Sequence, residues 1–327
     1  MKKKIIVIFT NSKEVNVPIV QKHLEELGEK YVIVDTEFLD KYQIDIKVSK
    51  KGKVEGSLKL EEEIDLKHIK SIWWRRPKDL YDVLDTDHQI SRFVADEFMA
   101  TLWSFATTFE TYWMNPPLMA RELLEHNKLH QIKIAQKVGL KVPETIITNN
   151  PKVLEEFVLS VGGKLAIKSV KSRLFTDKKN DTEGIYTQCV DLKTVIENSE
   201  SIKLAPVMAQ KYIPKKLELR ITVVGKNIFC CSIDSQSSKR TMHDWRRYDL
   251  QNVEHSEFIL PKEIQSKLLK LMNLWSLKYG AIDMILTPDG EYYFLEINPS
   301  GQYQWIEGMT GMPISETIAK TLANPTS

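Results

Sequence analysis

Several things are scarce in this 327-residue chain, and each scarcity closes off a class of function. It has three cysteines, two of them adjacent (Cys230 and Cys231), which gives neither a disulfide framework nor zinc-ligand spacing. No apolar run approaches the roughly 18 residues of a membrane span. The opening MKKKIIVIFT imitates a signal peptide, yet its apolar run is only Ile5 to Phe9 and no small-residue cleavage site follows. A first β-strand is the better reading. Charge of one sign is missing too: 46 basic residues stand against 44 acidic, a net of +2, without the basic excess of a dedicated nucleic-acid binder. Together these features predict a cytoplasmic protein that binds neither membrane nor nucleic acid. The turn after the first strand, TNSKEVN, has no glycine, so it cannot bring backbone N–H groups against a pyrophosphate as a dinucleotide fingerprint does.

What is present is an ordinary globular composition, 42% hydrophobic and 28% charged, in a chain long enough for two or three domains. Ile5–Phe9 and Tyr31–Val34 are β-rich runs separated by VPIVQKHLEELG, an amphipathic helix stopping at Gly28, so the chain opens with a βαβ unit. Residues 44–64 alternate around Gly52 and Gly56 as a hairpin would. IKSIWW is a further strand breaking into Arg75-Arg76-Pro77, residues 90–110 and 119–139 read as helices, and Gly139 to Pro143 looks like a boundary. A strand at 145–148, a helix begun by Asn150-Pro151 and the strand LAIKSV follow. Segment 171–184, KSRLFTDKKNDTEG, is polar and aperiodic over about 14 residues, a length at which function or disorder is the expectation. The last third holds two hairpins, LRITVVGKNIFCCSI and AIDMILTPDGEYYFLEI, joined by a polar loop at 235–256 and a helix near 261–279.

The second hairpin carries the chemistry. Side chains on a strand alternate with period two, so Asp283, Glu296 and Asn298 project from one face. Register counted from the Pro288-Asp289 turn puts Asp283 near Phe294, with Glu296 a diagonal neighbour roughly 7–8 Å away. Two carboxylates and an amide oxygen at a strand mouth are hard donors suited to Mg²⁺ on a polyphosphate. The plainer alternative makes both acids ordinary polar positions on a solvated sheet face. Against it, AI-D-MIL and YYFL-E-I are otherwise apolar, as in strands covered on both faces, where lone carboxylates are costly.

An Asp followed by Glu-x-Asn-Pro on the partner strand resembles the metal signature of the ATP-grasp ligases. Other segments match in order: Lys128 in NKLHQIKIAQKVGLKVPET, Lys168 in LAIKSV, and AQKYIPKKLELRITVVG at 209–225. The resemblance implies an α/β fold, α+β in its C-terminal part, with an N-terminal βαβ pre-ATP-grasp domain at 1–114. A central ATP-grasp subdomain would span 115–205 with 171–184 as its lid, and the subdomain with the metal site 206–327. It implies ATP and Mg²⁺: Lys128 and Lys168 on phosphates, Gln210 with Lys211, Tyr212 and Ile213 around adenine, Glu218 on the ribose, and Asp283, Glu296 and Asn298 on the metal. The lid departs from the family in being Lys/Asp-rich with only Gly184.

WWRRP near residue 75, WMNPP, GLKVPETIITNNP, the IYT strand and HDWRRYD at 243–249 further resemble the graspetide synthetases, macrocyclases of microviridin-type peptides. That likeness implies a homodimer acting on a precursor peptide with a leader and an acidic core. Core Glu or Asp side chains would be joined to Thr/Ser hydroxyls or Lys amines. Arg246, with Asn298 and Lys168, would be catalytic, steadying phosphate or the tetrahedral intermediate. Arg75, Arg76, Arg173 and Arg247 are candidates for binding the acidic core, because guanidinium forks match carboxylates. Structural readings stand beside these: Arg75 stacked on a tryptophan at a strand end, and DWRRYD as an ion-paired loop. A ligase adding amino acids such as glutamate, or a non-catalytic ATP-binding module, are the other functions compatible with the same motifs.

Overall fold

The first strand alternates its side chains between two apolar covers, and this sets the layout of the first third of the chain. In the computed structural model, which describes residues 4–77, 88–117, 119, 120, 124, 127–170, 174–176, 182–184, 186–242, 244, 245 and 252–325, β1 (Ile5–Thr10) leads through α1 (Val17–Glu26) to β2 (Lys30–Asp35). An antiparallel meander follows: β3 (Gln43–Val48), β4 (Val54–Lys59) and β5 (Glu63–Asp65). It is the expected hairpin with a third strand added. Gly56 has to be glycine, since a Cβ there would sit 1.8 Å from the Asp45 carbonyl oxygen. β6 (Ile69–Trp74), α2 (His88–Thr108) and β7 (Tyr112–Met114) complete a parallel sheet in the order β2-β1-β6-β7. Val7 and Phe9 face the meander and α2, while Ile6 and Ile8 join a core shared with the C-terminal helices. A parallel sheet buried on both faces gives the near-continuous apolar run that the sequence shows.

The middle of the chain differs from expectation at its start. No single helix covers 119–139: the Asn127 side chain accepts from the His130 N–H and caps a new helix, α3 (Lys128–Lys137). Capping is what asparagine does better than helix interior. Then come β8 (Thr145–Thr148), α4 (Pro151–Ser160) capped by Asn150, and β9 (Lys164–Lys168). β10 (Leu174–Thr176) and β11 (Thr182–Gly184) pair as a short hairpin inside the expected lid; the rest of 171–181 lies outside the described residues. β12 (Gln188–Asp191), α5 (Leu192–Glu197), α6 (Ser199–Leu204) and β13 (Val207–Lys211) finish an antiparallel sheet ordered β12-β9-β13-β8.

The last third is a five-stranded antiparallel sheet ordered β16-β15-β14-β17-β18. Its members are β14 (Leu217–Val224), β15 (Asn227–Ile233), β16 (His255–Glu257), β17 (Tyr279–Leu286) and β18 (Tyr292–Asn298). α7 (Lys262–Leu274) packs with α3 over Leu219, Ile221, Val223 and Ile282. The polar loop expected at 235–256 is partly structural: it makes a 3-10 turn at Ser235–Ser237, buries Val253 and ends in β16. α8 (Gln304–Thr310) and α9 (Ile314–Ala323) return to the first sheet, where Ser71 Oγ donates to the Leu322 carbonyl at 2.8 Å and Lys70 Nζ to that of Ala323 at 2.9 Å. No helix among the described residues is long and apolar enough to cross a membrane.

Because Ile8 lies at 0% exposure in a core shared by α1 and α9, Ile8→Ala should cost about 2–5 kcal/mol. Urea unfolding followed by tryptophan fluorescence and by far-UV circular dichroism should shift together. An unchanged midpoint would show that the N-terminal sheet and the C-terminal helices do not share one core.

Candidate active site

β14 reads Leu-Glu-Leu-Arg-Ile-Thr-Val-Val, and its two faces separate by period two. Leu219, Ile221 and Val223 enter the helix-covered core, while Glu218, Arg220 and Thr222 turn to the other face. That second face, together with β17 and β18, forms one wall of a cavity whose opposite wall comes from β9, β12 and β13 of the central sheet. Lys168, Gln210, Lys211, Tyr212, Ile213 and Glu218 line it, and so do Asp283 and Glu296. Residues chosen from segments far apart in sequence therefore share one space.

The carboxylates stand closer than the turn-counted register placed them. Asp283 is paired directly with Glu296, whereas Met284 pairs with Phe294, so Leu295 is an extra residue in β18. The bulge corrects the expected diagonal: facing residues on antiparallel strands hold their Cβ atoms about 4.5–5.5 Å apart. Asn298 pairs with Ala281 two positions along the same face, and its Oδ1 accepts from the Ser300 N–H at 2.9 Å.

Each acid has a cation. Arg220 Nη1 lies 3.1 Å from both oxygens of Asp283, which it faces across β14 and β17. Lys128 Nζ is 3.1 Å from Glu296 Oε2. Lysine is an unfavourable first residue for a helix, whose N-terminus is the positive end of its dipole; the Glu296 contact compensates it. Gln131, one turn further along α3, donates to the Ile297 carbonyl at 3.0 Å and accepts from the Ile297 N–H at 2.9 Å. It thereby pairs with the open edge of β18 like a neighbouring strand and holds Lys128 beside Glu296.

On the opposite side Gln210 Nε2 donates to Thr145 Oγ1 at 2.9 Å, and the 211–213 backbone is pinned where Lys211 N–H meets the Glu144 carbonyl and Tyr212 N–H that of Lys164. Glu218 is buried and paired with Lys215 at 2.9 Å. Burial pushes its carboxyl above the ordinary range, against the opposing pull of Lys215 and a hydrogen bond from Ser235. Asp244 Oδ2 accepts from the Thr187 N–H at 2.8 Å, and Trp245 packs between Trp305, 4.9 Å away, and the Arg220 guanidinium.

Arg75 is corrected most. Expected on the acidic peptide, it is completely buried, bonded to Glu14 at 3.2 Å and to the carbonyls of Ser300 and Gly301. Its guanidinium lies 5.8 Å from the Trp73 ring, so the stacked structural alternative is the one found. Arg76 is exposed, at φ +47°, with Glu14 at 3.7 Å. Arg173, Arg246 and Arg247 lie outside the described residues. Sequence reasoning missed Arg220, Lys215, Gln131 and Asp244. Arg220 was detectable as the middle polar residue of an alternating strand, two positions after Glu218.

The donor set fits a hard cation: two carboxylates face each other with an amide on the same strand face. Arg220 Nε, buried without a hydrogen-bond partner among the described residues, is a donor suited to an anionic oxygen.

Residues 4–121 match the MvdD pre-ATP grasp domain and residues 125–322 the RimK-like ATP-grasp domain. The chain is similar to the macrocyclase MdnC of Microcystis aeruginosa MRC, whose structure is bound with the precursor peptide MdnA. Identity is 30% over 98% of this chain and 99% of that one, with a TM-score of 0.84. A RiPP-associated ATP-grasp ligase of Chryseobacterium gregarium, in complex with ADP and a leader and core peptide, matches at 28% identity over 99% and 98%, TM-score 0.87. Macrocyclase MdnB of Microcystis aeruginosa MRC matches at 29% over 98% and 99%, TM-score 0.77. No curated protein matches. With its fold, its cavity between two sheets and its facing carboxylates, the chain belongs to the RimK-like ATP-grasp family, behind an MvdD-type pre-ATP-grasp domain.

Proposed function

We propose that this protein is an ATP-dependent macrocyclase of a ribosomally made precursor peptide. The observation that carries the reading is the convergence on one cavity of Lys168, Gln210 and Glu218 with the facing pair Asp283 and Glu296. The full-length likeness to peptide-bound MdnC, at 30% identity, supports the substrate class. Gln210 and the 211–213 backbone would take the adenine, Glu218 the ribose hydroxyls, and Lys128 and Lys168 the phosphates. Asp283, Glu296 and Asn298 would hold Mg²⁺, which supplies charge neutralisation on the polyphosphate.

A carboxylate oxygen of a core Glu or Asp attacks the γ-phosphorus, the bond to the β-phosphate oxygen breaks, and ADP leaves. A Thr or Ser hydroxyl, or a Lys amine, of the same peptide then attacks the acyl carbon. Phosphate departs with the carboxylate oxygen, the nucleophile gives up its proton, and the peptide has lost one water. Lys168 acts from the cavity wall and Asn298 from the strand face that carries Glu296, and Arg246 is assigned by resemblance to the departing phosphate. The 171–184 segment, with its β10–β11 hairpin, is assigned to keep water from the acyl phosphate. Arg76 remains the described candidate for a peptide carboxylate, and Arg173 and Arg247 are assigned the same task by resemblance.

Incubated with ATP, Mg²⁺ and an acidic, Thr- or Lys-rich precursor, the enzyme should lower peptide mass by one water per ring, with ADP formed in step. Glu296→Gln should remove both signals. A mass gain of one amino-acid residue would instead identify an amino-acid-adding ligase, and ADP release unaffected by Glu296→Gln would overturn the metal assignment. Arg76→Glu should raise the KM for peptide about tenfold, in keeping with the loss of a charged contact, and leave the KM for ATP unchanged; equal effects on both would remove Arg76 from the peptide site. Glu218 accepts ribose hydroxyls best when ionised. Its raised pKa therefore makes nucleotide affinity complete above that pKa and lost as pH falls through it. Titration of ADP binding downward from neutral pH should show this loss above the ordinary carboxylate range, the side toward which burial moves a carboxyl. Glu218→Gln should bind weakly with no such slope, and an unchanged slope would exclude Glu218 as its source.

A further inference from the structure

Asp283 is gripped by Arg220, and Arg220 is itself held by backbone. Arg220 Nη2 donates to the Gln302 carbonyl at 3.1 Å while Nη1 grips Asp283. The Gln302 side chain looks the other way: its Oε1 accepts from Arg75 Nη2 at 3.1 Å and also pairs with Asn16. Arg75 Nη1 reaches the Ser300 carbonyl at 3.1 Å and the Gly301 carbonyl at 3.0 Å. Rings of Tyr279 and Tyr303, each 5.6 Å from the guanidinium, enclose it with Trp73. Segment 300–302 is thus a wedge between two arginines, Arg75 after β6 of the N-terminal sheet and Arg220 on β14 of the five-stranded sheet. It has no slack: a Cβ on Gly301 would lie 2.7 Å from Arg220 Nη2 and 2.4 Å from the Ala281 Cβ.

The other end of the wedge sits at a special place in the first sheet. From β1 the chain runs to the edge strand β2, and from β6 to the opposite edge strand β7, in the order β2-β1-β6-β7. Glu14 and Asn16 follow β1, and Arg75 follows β6, so they flank the crevice at the carboxyl ends where connections diverge. Parallel α/β sheets hold ligands at that crevice. Here its occupant is the protein's own chain, the residues directly after Asn298. Glu14 completes the grip: burial alone would raise its carboxyl pKa, but the Arg75 charge and hydrogen bonds from Asn16 hold it below the ordinary range.

We propose that Arg75 and Gln302 are positioning residues for the metal site, with the N-terminal sheet binding segment 300–302 so that Arg220 sets the Asp283 carboxylate for metal. The inference rests on the reading of Asp283 and Glu296 as metal ligands given under Proposed function. The two fail separately when metal and nucleotide are titrated without peptide.

Mn²⁺ binding in the presence of saturating ADP, read by the electron paramagnetic resonance of free Mn²⁺, is the primary measurement. ADP binding without metal, by calorimetry, is the control. Arg75→Lys keeps the charge and loses the fork; Gln302→Ala removes only the half-buried link. Both should weaken Mn²⁺ about tenfold, the cost typical of removing a group that orients a metal ligand, with metal-free ADP affinity unchanged. If Arg75→Lys fails to fold, Gln302→Ala decides. Mn²⁺ affinity unchanged in folded variants overturns the proposal, as does a loss of metal and nucleotide affinity in equal proportion, which general damage would give. A parent protein that does not bind Mn²⁺ with ADP overturns the metal reading itself. One that binds it but cyclises no peptide overturns the macrocyclase assignment and leaves this inference standing.

Discussion

Two carboxylates that face each other across neighbouring strands, with a cavity in front of them, must be compensated. Two like charges about 5 Å apart at an effective dielectric near 20 repel by about 3 kcal/mol, and facing register holds the Cβ atoms at about that spacing. Asp283 and Glu296 are in that position, and much of the surrounding architecture supplies cations and holds them still. Arg220 stands opposite Asp283 on the next strand, and Lys128 enters from the start of α3. Neither long side chain would stay in place unaided. Arg220 is fixed by the Gln302 carbonyl and the Trp245 ring, and Lys128 by the helix that Gln131 pins to the edge of β18.

The N-terminal third is tied to this region although none of its described residues lines the cavity. Its sheet buries one face against α9 and the end of the five-stranded sheet, so the two parts share a core. Asn115, held at φ +54°, donates to the Tyr279 and Pro299 carbonyls and accepts from the Lys278 and Tyr279 N–H groups. The start of β17 and the end of β18 are thus bound by one side chain outside their sheet. A catalytic centre that turns over a reactive acyl phosphate benefits from such over-determination, because small displacements of the groups that orient reactants are costly in rate.

Much of this was legible beforehand. Apolar periodicity identified the βαβ opening, both C-terminal hairpins and the capped helix at Asn150-Pro151, because each depends on side chains within a few residues. The alternation in AIDMIL and YYFLEI placed Asp283, Glu296 and Asn298 on one face, and that parity survived the error in register. The register itself did not, since an extra residue at Leu295 costs nothing in local propensity and is settled by pairing with β17. Likewise the 119–139 segment has helical periodicity throughout, and only the geometry around Asn127 shows that capping wins there.

Arg75 marks the boundary between the two kinds of information. The sequence by itself determined which strand residues are polar in an apolar setting, because strand period and residue chemistry are local. Whether an arginine in WWRRP meets a peptide or the chain's own carbonyls depends on what packs against the end of β6. Its partners are Glu14 and residues 300–302, more than two hundred positions apart, and only the tertiary structure brings them to one guanidinium.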